Sequence, residues 1–124
     1  MSKKKRSMNM DSKQVADAFT AALKAGKGEE TALWSDDVVS IEAMEGPMSV
    51  CRGRAAVMAK AEWWMANHEV HRFEAHGPYV NGDAFALRFV MEVTAKADGR
   101  RMAMEEVGLY TVRDGRIVEE RFFY

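Results

Sequence analysis

The sequence predicts an α+β fold, with helices covering one face of a curved antiparallel sheet. Helical periodicity is confined to the first half of the chain, and the stretch from Tyr79 to Tyr124 reads as strand, turn, strand, turn, strand. Carboxylates sit inside that otherwise apolar alternation, and a sheet that buries Glu is usually shaping a site.

The first helix starts at Asp11 or Ser12, either of which can cap it, places Val15, Ala18, Phe19, Ala22 and Leu23 on one face, and stops at Gly26. "GEETALW" reads as a short second helix with Glu29 and Glu30 in its first turn, after which "SDD" ends it. "VVSIEAME" alternates as a strand until Gly46-Pro47, and a short extended stretch around Val50 is placed to pair back. Gly53 or Arg54 opens a third helix through "AAVMAKAEWWMAN", with Val57, Ala61, Trp64 and Met65 as its buried stripe. "HEVHRFEAHGPYV" is a strand interrupted by Gly77-Pro78, which predicts a bulge or bend.

"DAFALRFVMEV" puts Phe85, Leu87, Phe89, Met91 and Val93 on one wholly apolar face. Asp98-Gly99 then turns the chain into "RRMAMEEVGLYTVR", and Asp114-Gly115 turns it again into "RIVEERFFY". The terminal Phe122, Phe123 and Tyr124 are expected to pack into the body, because three consecutive aromatic rings are costly to leave in water.

Composition narrows the function classes. The 124 residues form one domain, residues 11–124, preceded by a basic tail over residues 1–10 that reads as disordered. Charged residues make up 30% and cancel to a net charge of −1, which favours neither nucleic acid nor an acidic membrane surface as a partner. The run Lys3, Lys4, Lys5, Arg6 is followed by "DSKQ" and by no apolar stretch, so it does not open a signal peptide. A single Cys51 and the lack of a long apolar run place the protein in a reducing, cytoplasmic compartment.

The element order and four segments, "AFTAALKAG", "LWSDDVVSIE", "CRGRAAVMAK" and "YTVRDGRIVEERFFY", resemble the SnoaL-like, ketosteroid-isomerase-like branch of the nuclear-transport-factor-2-like superfamily. The resemblance implies a cystatin-like αα-β-α-ββββ order, a conical sheet wrapped around a pocket, no cofactor, and a homodimer formed through the outer sheet face. In ketosteroid isomerases a first-strand carboxylate moves the proton, and the matching residue is Glu42. The oxyanion donors of those enzymes, a first-helix Tyr and a third-strand acid, correspond to Phe19 and Gly108, so isomerisation by their mechanism is not expected.

The pocket-facing set turns on the geometry at Asp114-Gly115. A two-residue loop pairs Tyr110 with Glu119 and Gly108 with Arg121, which brings Glu106, Glu119 and Arg121 to one face as an internal ion pair. A type I turn with a G1 bulge pairs Gly108 with Glu120 and puts Glu106, Tyr110, Val112, Val118, Glu120, Phe122 and Tyr124 inside. The second register is preferred because it agrees with the family's pocket positions. It leaves Glu105, Val107, Leu109, Ile117, Glu119, Arg121 and Phe123 on a mixed face suited to a dimer contact.

The candidate catalytic residues are therefore Glu42, Glu106, Tyr110 and His71. Around them, Phe19, Ser40, Met44 and Trp64 line the pocket from the helices and the first strand; Phe85, Leu87, Phe89 and Met91 line its floor; Gly108, Glu120, Phe122 and Tyr124 complete it. Several carboxyls in one apolar pocket raise the pKa of at least one of them towards neutrality; the competing expectation ties each to Arg88, Arg121 or Tyr110 as scaffold. His68, His71 and His76 offer ligand types that zinc accepts, but residues three apart on a strand point to opposite faces, so no metal site is expected.

These residues suit a small apolar metabolite and cofactor-independent isomerase, cyclase or hydratase chemistry with Glu42 as base. A non-catalytic binding module and a dimeric assembly module are the alternatives.

Overall fold

The computed structural model describes residues 10–124 of the chain. The basic run at Lys3–Arg6 lies outside the described residues. Helix α1 (Ser12–Ala25) begins with a capping box, in which Gln14 N–H donates to the Asp11 side chain at 2.8 Å and Asp11 N–H donates to Gln14 Oε1 at 2.9 Å. It closes at Gly26, whose left-handed φ of 69° lets its N–H return to the last-turn carbonyls of Ala22 and Leu23. Val15, Ala16, Phe19 and Thr20 face the sheet. Ala18 is exposed in place of Ala16, because the sheet meets the helix through a face turned slightly from the expected stripe.

The segment expected as a second helix is a single 3-10 turn, Glu29–Leu33, and strand β1 (Trp34–Ile41) follows it directly. Glu42 thus lies one residue past the strand, held by its N–H donating to Ser49 O at 2.8 Å across the Gly46-Pro47 turn. The chain does pair back, as β2 (Val50–Arg52) antiparallel to β1. Helix α2 (Arg54–Asn67) buries Val57 fully, while Ala61 and Met65 are exposed. Its inward stripe is Val57, Lys60 and Trp64, at spacings of three and four, so a lysine stands where apolar spacing alone pointed to Ala61.

Four long strands complete the fold: β3 (His68–Asn81), β4 (Ala84–Ala95), β5 (Arg101–Arg113) and β6 (Arg116–Phe123). The expected irregularity at Gly77-Pro78 is present as a register shift between His76 and Tyr79, and a second shift falls between Val70 and Arg72. The six strands form a curved, open sheet in the order β2-β1-β6-β5-β4-β3. It is mixed rather than wholly antiparallel, because the β3–β6 meander returns β6 beside β1 in the same direction. No helix among the described residues is long and apolar enough to cross a membrane.

The core lies between the inner face of this sheet and the two helices. Phe85, Leu87, Phe89, Met91 and Val93 of β4 are all buried, in strict alternation. Phe85 stacks on Tyr110 directly opposite on β5, with ring centroids 4.9 Å apart, and Phe19 of α1 closes on Tyr110 at 4.8 Å.

The last hairpin follows neither expected register. Asp114 (φ 52°) and Gly115 (φ 75°) form a two-residue turn with both residues left-handed, and Arg113 pairs with Arg116. The bulge lies further in, at Val118, so that Val112 pairs with Ile117 but Tyr110 pairs with Glu120 and Gly108 with Phe122. Glu106, Tyr110, Val112, Glu120 and Phe122 share the inner face, while Ile117 is buried there and Val118 is only half-buried, the reverse of the assignment in the preferred register. Glu119 and Arg121 face outward as an exposed pair 4.0 Å apart, not as an internal one. Of the terminal aromatics only Phe122 packs on the core; Phe123, opposite Val107, lies on the outer face, and Tyr124 is 54% exposed.

Leu87→Ala removes a fully enclosed side chain from the centre of β4 and should cost about 2–5 kcal/mol. Leu109→Ala, on the outer face of β5, should change stability by only about 0.5 kcal/mol. Urea unfolding of the two variants measures both.

Candidate active site

Three elements converge at the end of the cone where β1 and β6 run side by side. Parallel pairing sets Ser40 against Glu120, both turned inward, and Ser40 Oγ donates to Glu120 Oε2 at 2.7 Å. Lys60 reaches down from α2 and donates from Nζ to Ser40 Oγ and to Glu42 Oε2, each at 2.5 Å. Tyr124 Oη donates to the other Glu42 oxygen, Oε1, at 3.0 Å. The result is a continuous polar chain, Tyr124–Glu42–Lys60–Ser40–Glu120, whose inner end is sealed (Ser40 0% exposed, Glu120 5%) and whose outer end reaches solvent. Lys60 Nζ also lies 5.2 Å from the centroid of the Phe122 ring, a cation–π contact within the same wall.

Two further glutamates sense this chain. Burial pushes the Glu120 carboxyl up; the Ser40 hydrogen bond and the Lys60 ammonium pull it partly back. The indole N–H of Trp34 is the next favourable dipole beside Glu120, yet it is fully enclosed and closes no hydrogen bond. Glu106 makes no side-chain hydrogen bond among the described residues. Burial first, and the charge of Glu42 second, raise its pKa to about 7, against a smaller downward pull from Lys60. The Tyr110 phenol is pushed well above its ordinary range by burial and then by Glu120 and Glu106, and so stays protonated. Tyr124 is also raised, through burial and its hydrogen bond to Glu42.

Glu42, Ser40, Glu120 and Tyr124 are thus joined in one wired cluster, and Glu106, Tyr110 and Phe122 face the same inner space. Phe19, Phe85, Leu87, Phe89 and Met91 are buried in the core beside it, and Gly108 lies beneath the Tyr110 ring. Trp64 is half-buried and stacks on His68 at 4.5 Å, whereas Met44 is 68% exposed. His71 is exposed and bonded to Thr94 Oγ1 at 2.7 Å, so no contact ties it to the cluster.

The buried acids are not tied to Arg88, which pairs outward with Glu105 at 3.1 Å, nor to Arg121. Their cation is Lys60, which apolar patterning passed over. Its spacing from Val57 and Trp64 was the available signal. Among the described residues no group of three or more His, Cys, Asp or Glu side chains is arranged to hold a metal ion. Two open surface grooves, of about 470 Å³ by Lys24 and Phe73–His76 and about 280 Å³ by Asp37 and Arg113, lie away from the cluster.

A family model described as "SnoaL-like domain" matches residues 10–124, and the chain belongs to that family. A solved structure from Mesorhizobium loti, named as a candidate SnoaL-like polyketide cyclase and carbohydrate phosphatase, shares 52% identity with a TM-score of 0.89, over 93% of this chain and all (100%) of that one. More distant structures share the fold. A candidate isomerase from Bacillus subtilis has 19% identity and a TM-score of 0.70 over 90% of this chain and 84% of its own. A ketosteroid-isomerase-like protein from Catenulispora acidiphila, solved in complex with trimethylamine, has 20% identity and a TM-score of 0.71 over 89% and 84%. No curated protein matches the chain.

Because the folded-state pKa of Glu106 lies above its ordinary value of 4.5, the fold binds this proton more tightly than the unfolded chain does. Its contribution is fully present below pH 4.5 and is lost as pH rises towards about 7. Glu106→Gln should therefore raise the melting temperature at pH 8 and flatten its decline across that window. Lys60→Met removes the cation that the described residues bring to the cluster and should lower the melting temperature more at pH 8 than at pH 5, because the raised carboxyls of Glu106 and Glu120 take up protons as pH falls. Scanning calorimetry across pH checks both.

Proposed function

We propose that this protein binds a small apolar carbonyl compound in the cone and moves a proton on it, in the manner of an isomerase, cyclase or hydratase, with its own carboxyls as acid and base. The observation that carries this reading is the pairing of two unlike glutamates in one apolar enclosure. Glu42 is ion-paired to Lys60, while Glu106, on the same inner face and with no side-chain hydrogen bond among the described residues, holds its proton up to about pH 7. Two carboxyls in unlike settings, one ion-paired and one held protonated, can take different roles. Glu42 accepts the proton of an acidic C–H through Oε1, the oxygen that otherwise holds Tyr124, while Oε2 stays on Lys60. Glu106 donates a proton to the carbon or oxygen that becomes basic.

The name of the Mesorhizobium loti relative, a candidate polyketide cyclase, supports substrates of this class, since cyclisation proceeds through an enolate next to a carbonyl. A binding-only reading is favoured by one observation. The polar groups from Tyr124 to Glu120 are already bonded to one another, an arrangement that can anchor a ligand without turning it over. For the outer sheet face, Tyr79, Leu109 and Phe123 among charged neighbours support pairing with a second copy of the chain.

A thermal-shift screen of cyclic and β-dicarbonyl compounds, followed by turnover assays on the hits, tests the proposal. Glu42→Gln and Glu106→Gln should each lower kcat by about 10²–10⁴-fold. Activity should fall as pH rises through about 7 in the parent and lose that limb in Glu106→Gln. Full turnover by Glu42→Gln would remove Glu42 as the base; ligand binding with no turnover by the parent would establish the binding-only reading.

A further inference from the structure

Tyr110 is 2% exposed, and three aromatic rings hold its own ring: Phe85 stacked at 4.9 Å, Phe19 tilted at 4.8 Å and Phe122 edge-on at 6.4 Å. Such a cage fixes the direction of the hydroxyl. That direction is along β5 towards its start, because a Cβ built on Gly108 would meet Tyr110 Oη at 2.8 Å and the ring edge at 2.9 Å. Gly108 stands between Tyr110 and Glu106 on the inner face, so the oxygen lies over the glycine on the side of Glu106. A side chain at 108 would occupy the place of the hydroxyl.

The hydroxyl has no hydrogen-bond partner among the described residues. A buried phenol ordinarily finds one, since leaving it unpaired costs about 1–3 kcal/mol. It is also not fully sealed: among the described residues the fully enclosed side-chain polar atom without a partner is Trp34 Nε1, so the small residual exposure of Tyr110 includes its oxygen. Here a rigid donor without a partner among the described residues is aimed from an aromatic cage along the inner face, over Gly108 and towards Glu106.

We infer that Tyr110 is the hydrogen-bond donor for the ligand's carbonyl oxygen, held in place by its aromatic cage and given room by Gly108, and that the ligand therefore presents a neutral or enolate oxygen at this point. This rests on the cone being the ligand site. Burial and the neighbouring acids keep the phenol protonated, so it donates throughout the pH range in which Glu106 changes charge. A donor placed before the ligand arrives costs no reorganisation when negative charge develops on the oxygen.

The test uses 2-naphthol, a flat apolar ring with one oxygen, and naphthalene, the same ring without it, with binding followed by fluorescence to wild type, Tyr110→Phe and Gly108→Ala. Wild type should hold 2-naphthol about three- to tenfold more tightly than naphthalene. Tyr110→Phe should erase that preference while leaving the melting temperature at or above that of wild type, because the lost hydroxyl bonds nothing among the described residues. Gly108→Ala, which crowds the hydroxyl without removing it, should also reduce the preference. An unchanged preference in Tyr110→Phe, or equal binding of the two probes by wild type, overturns the donor role while leaving the cone as ligand site. Failure of wild type to bind either probe overturns the cone as ligand site, and the donor role with it.

Discussion

The ammonium of Lys60 sets the terms for the rest of the site. Three glutamates, Glu42, Glu106 and Glu120, face the inner wall, and among the described residues Lys60 is the cation that reaches them. Removing a carboxylate from water costs several kcal/mol unless charge and hydrogen bonds replace the lost solvation. Lys60 does this directly for Glu42 and, through Ser40, for Glu120, and its own charge is satisfied by the same contacts. Nothing comparable remains for Glu106. Its proton stays on to about pH 7 because burial and then the charge of Glu42 outweigh the downward pull of Lys60.

That arrangement depends on strand register. Lys60 can bridge Glu42 and Ser40 because α2 starts immediately after β2, with Arg54 Nη1 donating to Trp34 O at 3.0 Å, which anchors the first turn of the helix to β1. Glu120 meets Ser40 because the bulge at Val118 inserts one residue into β6. A regular two-residue hairpin without that insertion would set Tyr110 opposite Glu119, turn Glu119 and Arg121 inward, and carry Glu120 to the outer face. The bulge satisfies two demands at once, since Ile117 enters the core at its N-terminal side and Glu120 enters the site at its C-terminal side. Patterning alone could not locate it, because both registers leave a plausible apolar face.

The legible parts of the molecule were those governed by local periodicity. The β4 alternation, the caps at Asp11 and Gly26, the helix start at Gly53 and the hairpins at Asp-Gly pairs follow from side-chain size and backbone freedom within a few residues. Glu42 could be singled out by family resemblance, and Glu106 by its place in an apolar strand. What escaped were contacts between distant segments. Lys60 looks like a solvated helix residue until β1 and β6 are seen beneath it, and the terminal tyrosine looks like core until its hydroxyl is found on Glu42, 82 positions away. The parallel β1–β6 contact is non-local in the same sense, since it is produced by where the meander ends rather than by either strand's sequence.

The charge balance of the wall also bears on which ligands it can accept. With Glu42 matched by Lys60 and Glu106 protonated below about pH 7, the inner face carries a neutral acid and a phenol beside the buried apolar side chains of β4. An anionic ligand would have to approach the oxygens of Glu42 and Glu120 in a poorly solvated space, where like charges are screened little. Lys60 already commits two of its three N–H donors to Ser40 and Glu42, and its charge is largely offset by the Glu42 carboxylate. A neutral oxygen on a flat apolar frame meets no such penalty and finds Tyr110 unoccupied. Once negative charge develops on that oxygen the balance shifts, because the phenol and the Glu106 proton are then the groups positioned to share it. Under the proposed proton-transfer reading, the wall would thus disfavour an anion on arrival and stabilise one that forms in place, which is the differential such catalysis requires.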